Sequence, residues 1–414
     1  MPKKLLLLAK NWPEPNSTAA GRRTLDLLTI FLNQGYQVHV ASAAENTPFQ
    51  ADLSKLGICC HKVLLNDASF DSWITELSPT EVIFDRFVTE EQFGWRVKNQ
   101  CPEAMTLLDT SDFHALRQAR ELAFKQQQPV DLYSELAIRE LSAMVRCDLT
   151  LMISEVEINL LQQHFGLNAG QLLYLPFLAS GDDIQPGPSF DQRQHVVMIG
   201  GFKHEPNRDA TRWLKQDIWP QLKSLLPNDC ELHVYGAYAD HAMNQLHNPK
   251  QRFFIKGRAE DAMTTLAQYR VNLAPLRFGA GQKGKIFEGW LTGTPTVTTT
   301  VGAESMANAS QLGYPLTDNP FQLAAIAAQA YNDSGYWQTL QQNGFTLLET
   351  SFNKSDCVTH FWQHYSNTFA RLEQHRARNF WGRVLWQNQH RASEFMSRWI
   401  EAKNHNKSGS SATD

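Results

Sequence analysis

Six cysteines in 414 residues are too few and too scattered to form a framework. Cys59, Cys60, Cys101, Cys147, Cys230 and Cys357 show no paired ligand spacing, which excludes a zinc ribbon or disulfide scaffold and fits a reducing compartment, the cytosol in the simplest reading. Positive charge is also short: 38 Lys plus Arg stand against 42 Asp plus Glu, net −4. Nucleic acid is therefore not an expected partner, and any anion site must be local. No run of about 18 apolar residues occurs, and the opening run 5–9 is too short for a signal segment or a span, so the chain is not expected to cross a membrane. Asp-x-Asp is absent, which removes the usual carboxylate pair for a catalytic divalent cation. No metal is expected.

What is present is a globular composition, 42% apolar and 19% charged, in a chain too long for one ordinary core. Short apolar runs at 4–9, 36–42, 81–84, 105–109, 149–153 and 172–176 read as strands, separated by segments of helical period. Residues 181–194, rich in Ser, Gly, Asp and Pro, read as a linker. The pattern then restarts, with strands at 195–199, 231–235, 252–255, 271–275 and 294–299 and helices at 207–226, 262–269 and 285–291. Runs of this kind are those of buried parallel strands with crossover helices. The expectation is α/β: domain one over 1–180, domain two over 195–368, helices over 369–403 running back onto domain one, and a disordered tail over 404–414.

In open parallel sheets ligands sit beyond the carboxyl ends of strands. The richest such loop is 279–285, Gly-Ala-Gly-Gln-Lys-Gly-Lys, opening a helix. Gly279, Gly281 and Gly284 admit close backbone approach, while Lys283 and Lys285 add charge where a helix start presents free amides. That is the chemistry of a diphosphate cradle. It is neither a Walker loop nor a dinucleotide fingerprint, since both spacings are wrong. A second loop, Gly200-Gly201-Phe202-Lys203-His204, follows the first strand of the same half and offers Lys203 as a further cation.

Taken together, the segments around 199–223, HVYG at 233–236, and 273–306 resemble the retaining glycosyltransferases of family 4, in the branch whose donor loop reads Gly-Ala-Gly-x-Lys-Gly-Lys. In the first half, WPEPNSTAAGRR, LLDTSDFHALRQARE, RELSAMVRCDLTLMISEVE and LYLP extend the resemblance to residues 3–306. It implies a GT-B fold, two Rossmann-like doubly wound domains facing across a cleft, with a C-terminal helical segment. It also implies a nucleotide-sugar donor, UDP- or GDP-linked, with no other cofactor, and a glycan, lipid or protein acceptor.

Residue by residue, Glu288 matches the second glutamate of the family's paired motif and would grip ribose, whereas the first falls on Ala280. Sugar hydroxyls would then meet the amides of Ala280, Gly281, Gln282 and Lys283. Lys203, Lys283 and Lys285 would offset charge on the leaving diphosphate. Gly21 matches the glycine after the first strand, followed by Arg22 and Arg23, which read equally as phosphate contacts or as solvated surface. Asp109, Asp112 and His114 occupy the loop where the family places acceptor and sugar contacts. Ser154 to Glu157 reads as a capping box, and Glu304 as a ribose or sugar contact or a solvated carboxylate.

The resemblance implies transfer with retention and without a metal, after closure of the two domains. The competing readings are another GT-B enzyme, such as a nucleotide-sugar epimerase, and a catalytically silent subunit of the same fold, kept open by Ala280. Residues 371–403 carry six Arg and one Lys against three Glu, interleaved with Phe380, Trp381, Trp386, Phe395 and Trp399. Packing on the first domain and peripheral contact with the inner face of an anionic membrane both fit that pattern.

Overall fold

The computed structural model describes residues 3–410, apart from the side chains of 388–390 and 404–410. Strands β1 (Lys4–Ala9), β2 (Gln37–Ser42), β3 (Cys59–Lys62), β4 (Glu81–Asp85), β5 (Met105–Asp109), β6 (Leu149–Met152) and β7 (Leu172–Tyr174) form one parallel sheet in the order β3-β2-β1-β4-β5-β6-β7. Strands β8 (Gln194–Ile199), β9 (Leu232–Tyr235), β10 (Phe253–Gly257), β11 (Tyr269–Ala274) and β12 (Thr296–Thr298) form the second, ordered β10-β9-β8-β11-β12 and again parallel. Each order reverses beside its first strand, which defines a crevice at β1/β4 in one domain and β8/β11 in the other.

The central strands are largely apolar because helices cover both sheet faces. Leu5, Leu6, Leu7 and Leu8 are at most 1% exposed and alternate between two separate cores, one on each face. Each such leucine contributes about 1.5–3 kcal/mol of burial. The second domain has its own large core, built from Val196, Met198, Trp219, Val234 and Leu273 among others.

Three boundaries differ from expectation. The edge strand β3 was not anticipated: Cys-Cys-His-Lys is half exposed and shows no apolar run, and only pairing to β2 makes it a strand. The helix expected over 207–226 runs Glu205–Trp213, widens into a π-turn at Leu214–Ile218 and resumes at Trp219–Leu222. The chain also returns to the first domain earlier than 369. Helix Lys354–Phe369 already buries Phe361 and Tyr365 in the first core. The crossing is a pair of strand-like segments, with Ala179 N donating to Phe352 O at 2.8 Å and Lys354 N to Ala179 O at 2.8 Å. Segment 181–194 is thus the start of the second domain rather than the hinge itself, pinned by Gln185 N to Leu291 O.

The C-terminal helix Phe380–Ser410 lies on helices Glu135–Arg146 and Arg86–Gln100. Its inner side is fixed by buried Ser397 and by Gly382, where a Cβ would meet Val145 O at 2.5 Å. This helix covers 404–410, so the tail expected over 404–414 is helical in its first part, and 411–414 lie outside the described residues.

Candidate active site

The loop after β11 and the helix Gly284–Leu291 form the second-domain wall of the cleft. Lys283 is the residue before that helix and no side chain caps it, so first-turn amides remain available. Gly281 has φ +65°, and a Cβ there would meet Asp112 Cβ at 2.8 Å. Glycine is required twice at this point, by backbone conformation and by the approach of the opposite domain. A Cβ on Gly284 would meet Ala19 Cβ at 2.6 Å. The donor loop therefore touches the start of the first helix, Ala19–Leu32, as well as the Asp112 loop.

Lys285 and Glu288 lie one helical turn apart, partly open to the cleft and enclosed elsewhere by protein. Burial pushes the Lys285 ammonium down to about 8, with Glu288 opposing, and pushes the Glu288 carboxyl up to about 7. Lys285 Nζ is held by Asn207 Oδ1, whose amide group donates to Gly201 O at 2.9 Å. A Cβ on Gly200 would meet that same Asn207 side chain at 2.7 Å, whereas Gly201 has open space around it. Asn207 thus ties the 200–204 loop to Lys285. It was visible in the sequence only as a helix-start residue.

The remaining cations divide. Lys203 is exposed, its ammonium 3.6 Å from the centre of the Tyr238 ring, and is not fixed beside Lys285. Lys283 is turned inward to Gly281 O at 2.6 Å and Glu304 O at 3.4 Å, and burial lowers its pKa. Gln282 is likewise committed to structure, accepting from Phe177 N at 2.9 Å and donating to Ser305 O at 3.1 Å. Ala280 packs against the apolar cluster of the first domain, so no carboxylate stands where the paired motif would place one. His204 is exposed in the cleft, and desolvation by its surroundings, with Arg117 and Lys285, lowers its pKa.

On the first-domain wall, Arg22 and Arg23 are not equivalent. Arg23 is buried against Asp109 at 2.8 Å, which makes both structural. Arg22 reaches toward the cleft, pairs with Asp183 at 3.3 Å and lowers the Glu288 pKa. A Cβ on Gly21 would strike the Glu14 backbone at 2.5 Å, so this glycine admits the 13–17 loop over the helix start. Asp112 is paired to Arg117; burial opposes its ionisation, but Arg117 and His114 hold the carboxyl below the usual range. His114 sits 3.7 Å from Asp112 and donates its backbone N–H to Glu140 at 3.1 Å.

Two inter-domain links escaped the sequence reading. Arg120 grips Glu304 through both oxygens, at 2.7 and 2.9 Å, and donates to Gly279 O at 2.9 Å. Glu304 is therefore a clamp partner rather than a solvated carboxylate. Glu157 accepts from Phe113 N at 3.1 Å and from Gly281 N, joining the two loops; burial and the nearby Asp112 raise its pKa. Ser154 caps its helix as expected, through Glu157 N at 3.1 Å, and also meets Ser305 Oγ at 2.6 Å across the cleft. No alternation or helical period reveals such partners, because they join elements over a hundred residues apart. Among the described residues no group of three or more His, Cys, Asp or Glu is placed to hold a metal ion, and no helix is long and apolar enough to cross a membrane.

Two Rossmann-like domains opposed across a cleft, with a helical segment returning to the first, constitute the GT-B fold. Within it, residues 193–333 match the family described as glycosyl transferases group 1. Among solved structures the chain is similar to sucrose-phosphate synthase from Thermosynechococcus elongatus, at 14% identity over 89% of this chain and 99% of that one, TM-score 0.65. It is also similar to Anabaena Alr3699/HepE in complex with UDP and glucose, at 13% identity over 88% and 100%, TM-score 0.68. A third is WaaG, a glycosyltransferase involved in lipopolysaccharide biosynthesis, at 14% identity over 84% and 95%, TM-score 0.58. No curated protein matched by sequence.

Proposed function

We propose that this chain is a retaining, metal-independent glycosyltransferase that moves a sugar from a UDP- or GDP-linked donor to a hydroxyl of a glycan, lipid or protein acceptor. The observation that carries the reading is the Lys285 and Glu288 pair, poised at an uncapped helix start in the cleft. Lys285 and the helix-start amides offset charge on the departing diphosphate, and Glu288 accepts from ribose hydroxyls. Lys203, exposed on its loop, is available to a bound diphosphate only by leaving the Tyr238 ring. The protein's contribution is positioning and electrostatics rather than a covalent step. The UDP complex of a structural neighbour supports a nucleotide donor.

A ligand that binds only the folded state raises apparent stability. UDP or GDP is expected to raise Tm saturably, and ADP not to; a flat response to all three would remove the donor assignment. Ala280 favours the silent-subunit reading as the alternative, and that reading predicts nucleotide binding with no release of nucleoside diphosphate from any donor sugar.

Contact with the inner face of an anionic membrane is supported by the outer side of the C-terminal helix. Trp381, Phe395 and Trp399 are 69, 67 and 59% exposed and recur at helical spacing, and among the described residues Arg371, Arg378, Arg383 and Arg391 have no ion pair. Vesicles containing phosphatidylglycerol are expected to float the intact chain, and a Trp381→Ser, Trp399→Ser variant is expected to stay behind. Equal flotation of the two proteins would reject the contact.

A further inference from the structure

The first domain has its own switch-point crevice, between β1 and β4, and the donor reading leaves it unused. Lys10 follows β1 and Arg86 follows β4, so both stand at the carboxyl ends of the strands where the sheet order reverses. A cavity of about 260 Å³ opens there, lined by Lys10, Arg86, Phe87, His114, Arg117 and Glu121 among others. Arg86 holds φ +69°, a left-handed backbone rare for a side chain of this size. That backbone sets the guanidinium flat on Asp85, with two contacts of 2.9 Å.

The acids nearby are already engaged. Asp85 is taken by Arg86 and by the Lys10 backbone N–H at 3.0 Å, Asp112 by Arg117, and Glu121 by Lys125 at 2.6 Å. The Lys10 ammonium has no hydrogen-bond or ion-pair partner among the described residues. Lys10 is exposed at the crevice, and partial desolvation and then Arg86 lower its pKa while Asp85 opposes them. Helix Arg86–Gln100 begins at the same wall with no side-chain cap, adding free first-turn amides. Arg117 closes the crevice on the side of Asp112, and Asp112 abuts Gly281 of the donor loop. Arg117 and Asp112 thus stand between the cavity and Gly281.

We propose that this crevice is an acceptor subsite for an anionic group, a phosphate or carboxylate carried by the acceptor and bound by Lys10, Arg86 and Arg117. The inference rests on the glycosyltransferase reading for the word acceptor, but the anion site stands on its own geometry. An acceptor held there by its charged group presents its neighbouring hydroxyls toward the Asp112 and Gly281 contact. A neutral sugar offers Lys10 only a hydroxyl oxygen, without the opposite charge.

The test is calorimetric titration of the intact chain, saturated with UDP so that the donor cradle is filled, with glucose 6-phosphate, glucuronate and glucose. Saturable binding is expected for a charged probe and not for glucose, with phosphate and carboxylate affinities showing which anion the crevice prefers. Lys10→Gln should weaken that binding about tenfold, the scale of one charge-assisted hydrogen bond, while UDP affinity is unchanged, and Lys10→Arg should restore it. Equal binding of glucose, no binding of any probe, or charged-probe binding indifferent to Lys10→Gln would each overturn the proposal. Should UDP not bind at all, the titration is run on the free chain; charged-probe binding lost in Lys10→Gln would then leave the anion site standing while the donor reading falls.

Discussion

Replacing Lys285 by alanine is expected to lower kcat/KM for sugar transfer by roughly 10²–10³-fold, the scale found when one fixed group facing developing negative charge is removed. The reason is that Lys285 is held before the reaction starts. Asn207 orients it, Gly201 and Gly200 fix Asn207, and burial has already stripped much of its solvent. On the proposed function its charge would act on a leaving diphosphate without reorganisation at the moment of bond breaking. The pH profile should carry the same signature. Lys285, pushed down to about 8, loses its proton as pH rises through that value, and Glu288, pushed up to about 7, gains one as pH falls through its own. A profile of kcat/KM with limbs near those values is expected for the free enzyme, and Glu288→Gln should remove the acidic limb. Initial rates of nucleoside diphosphate release measure both. A Lys285→Ala enzyme within a few-fold of the parent would show that the charge is offset elsewhere.

Valine at Gly281 should be nearly as damaging to turnover, for a different reason. The residue would need φ +65°, which costs a branched side chain about 1–2 kcal/mol, and its Cβ would stand 2.8 Å from that of Asp112. The two domains could then meet only after the loop or Asp112 moved. Misplacement of about 1 Å in a site of this kind costs about 10²-fold in rate. The expected outcome is such a loss in kcat/KM with far-ultraviolet circular dichroism unchanged, since Gly281 lies in neither domain's core. A shift of the loop would also disturb the bond from the 281 backbone N–H to the buried Glu157 carboxyl, which joins the two loops. If Gly281→Val retained full activity, domain contact at this point would not matter to catalysis.

Most strands were legible because a strand buried on two faces reads as an apolar run, as at Leu5 to Leu8. Strand β3 was not, since Cys59 and Cys60 are exposed and the strand exists through its pairing with β2. The glycines and lysines of 279–285 were visible as a group, and their division of labour was not. Lys283 and Gln282 are spent on holding the loop, Lys285 faces the cleft, and Lys203 rests on Tyr238, a sorting decided by tertiary contacts that no spacing encodes. The same limit hid Arg120 and the contrast between Arg22 and Arg23. Adjacent residues on a helix point about 100° apart, and only the position of Asp109 decides which of the two is buried.

The cleft contacts also show why two modest domains can act as one site. Arg120, on helix His114–Gln126, with Glu304, Ser154 with Ser305, and Gly281 against Asp112 all join the cleft rims rather than the cores. Rim contacts of this kind can separate and re-form without unfolding either sheet, about the paired segments at Ala179 and Asn353.

The most direct test is to grow crystals of the intact chain, soak them with UDP and locate the nucleotide. The diphosphate is expected at the start of helix Gly284–Leu291 beside Lys285, with the ribose against Glu288. A nucleotide bound anywhere else, or a cleft that stays empty at saturating UDP, would contradict this placement.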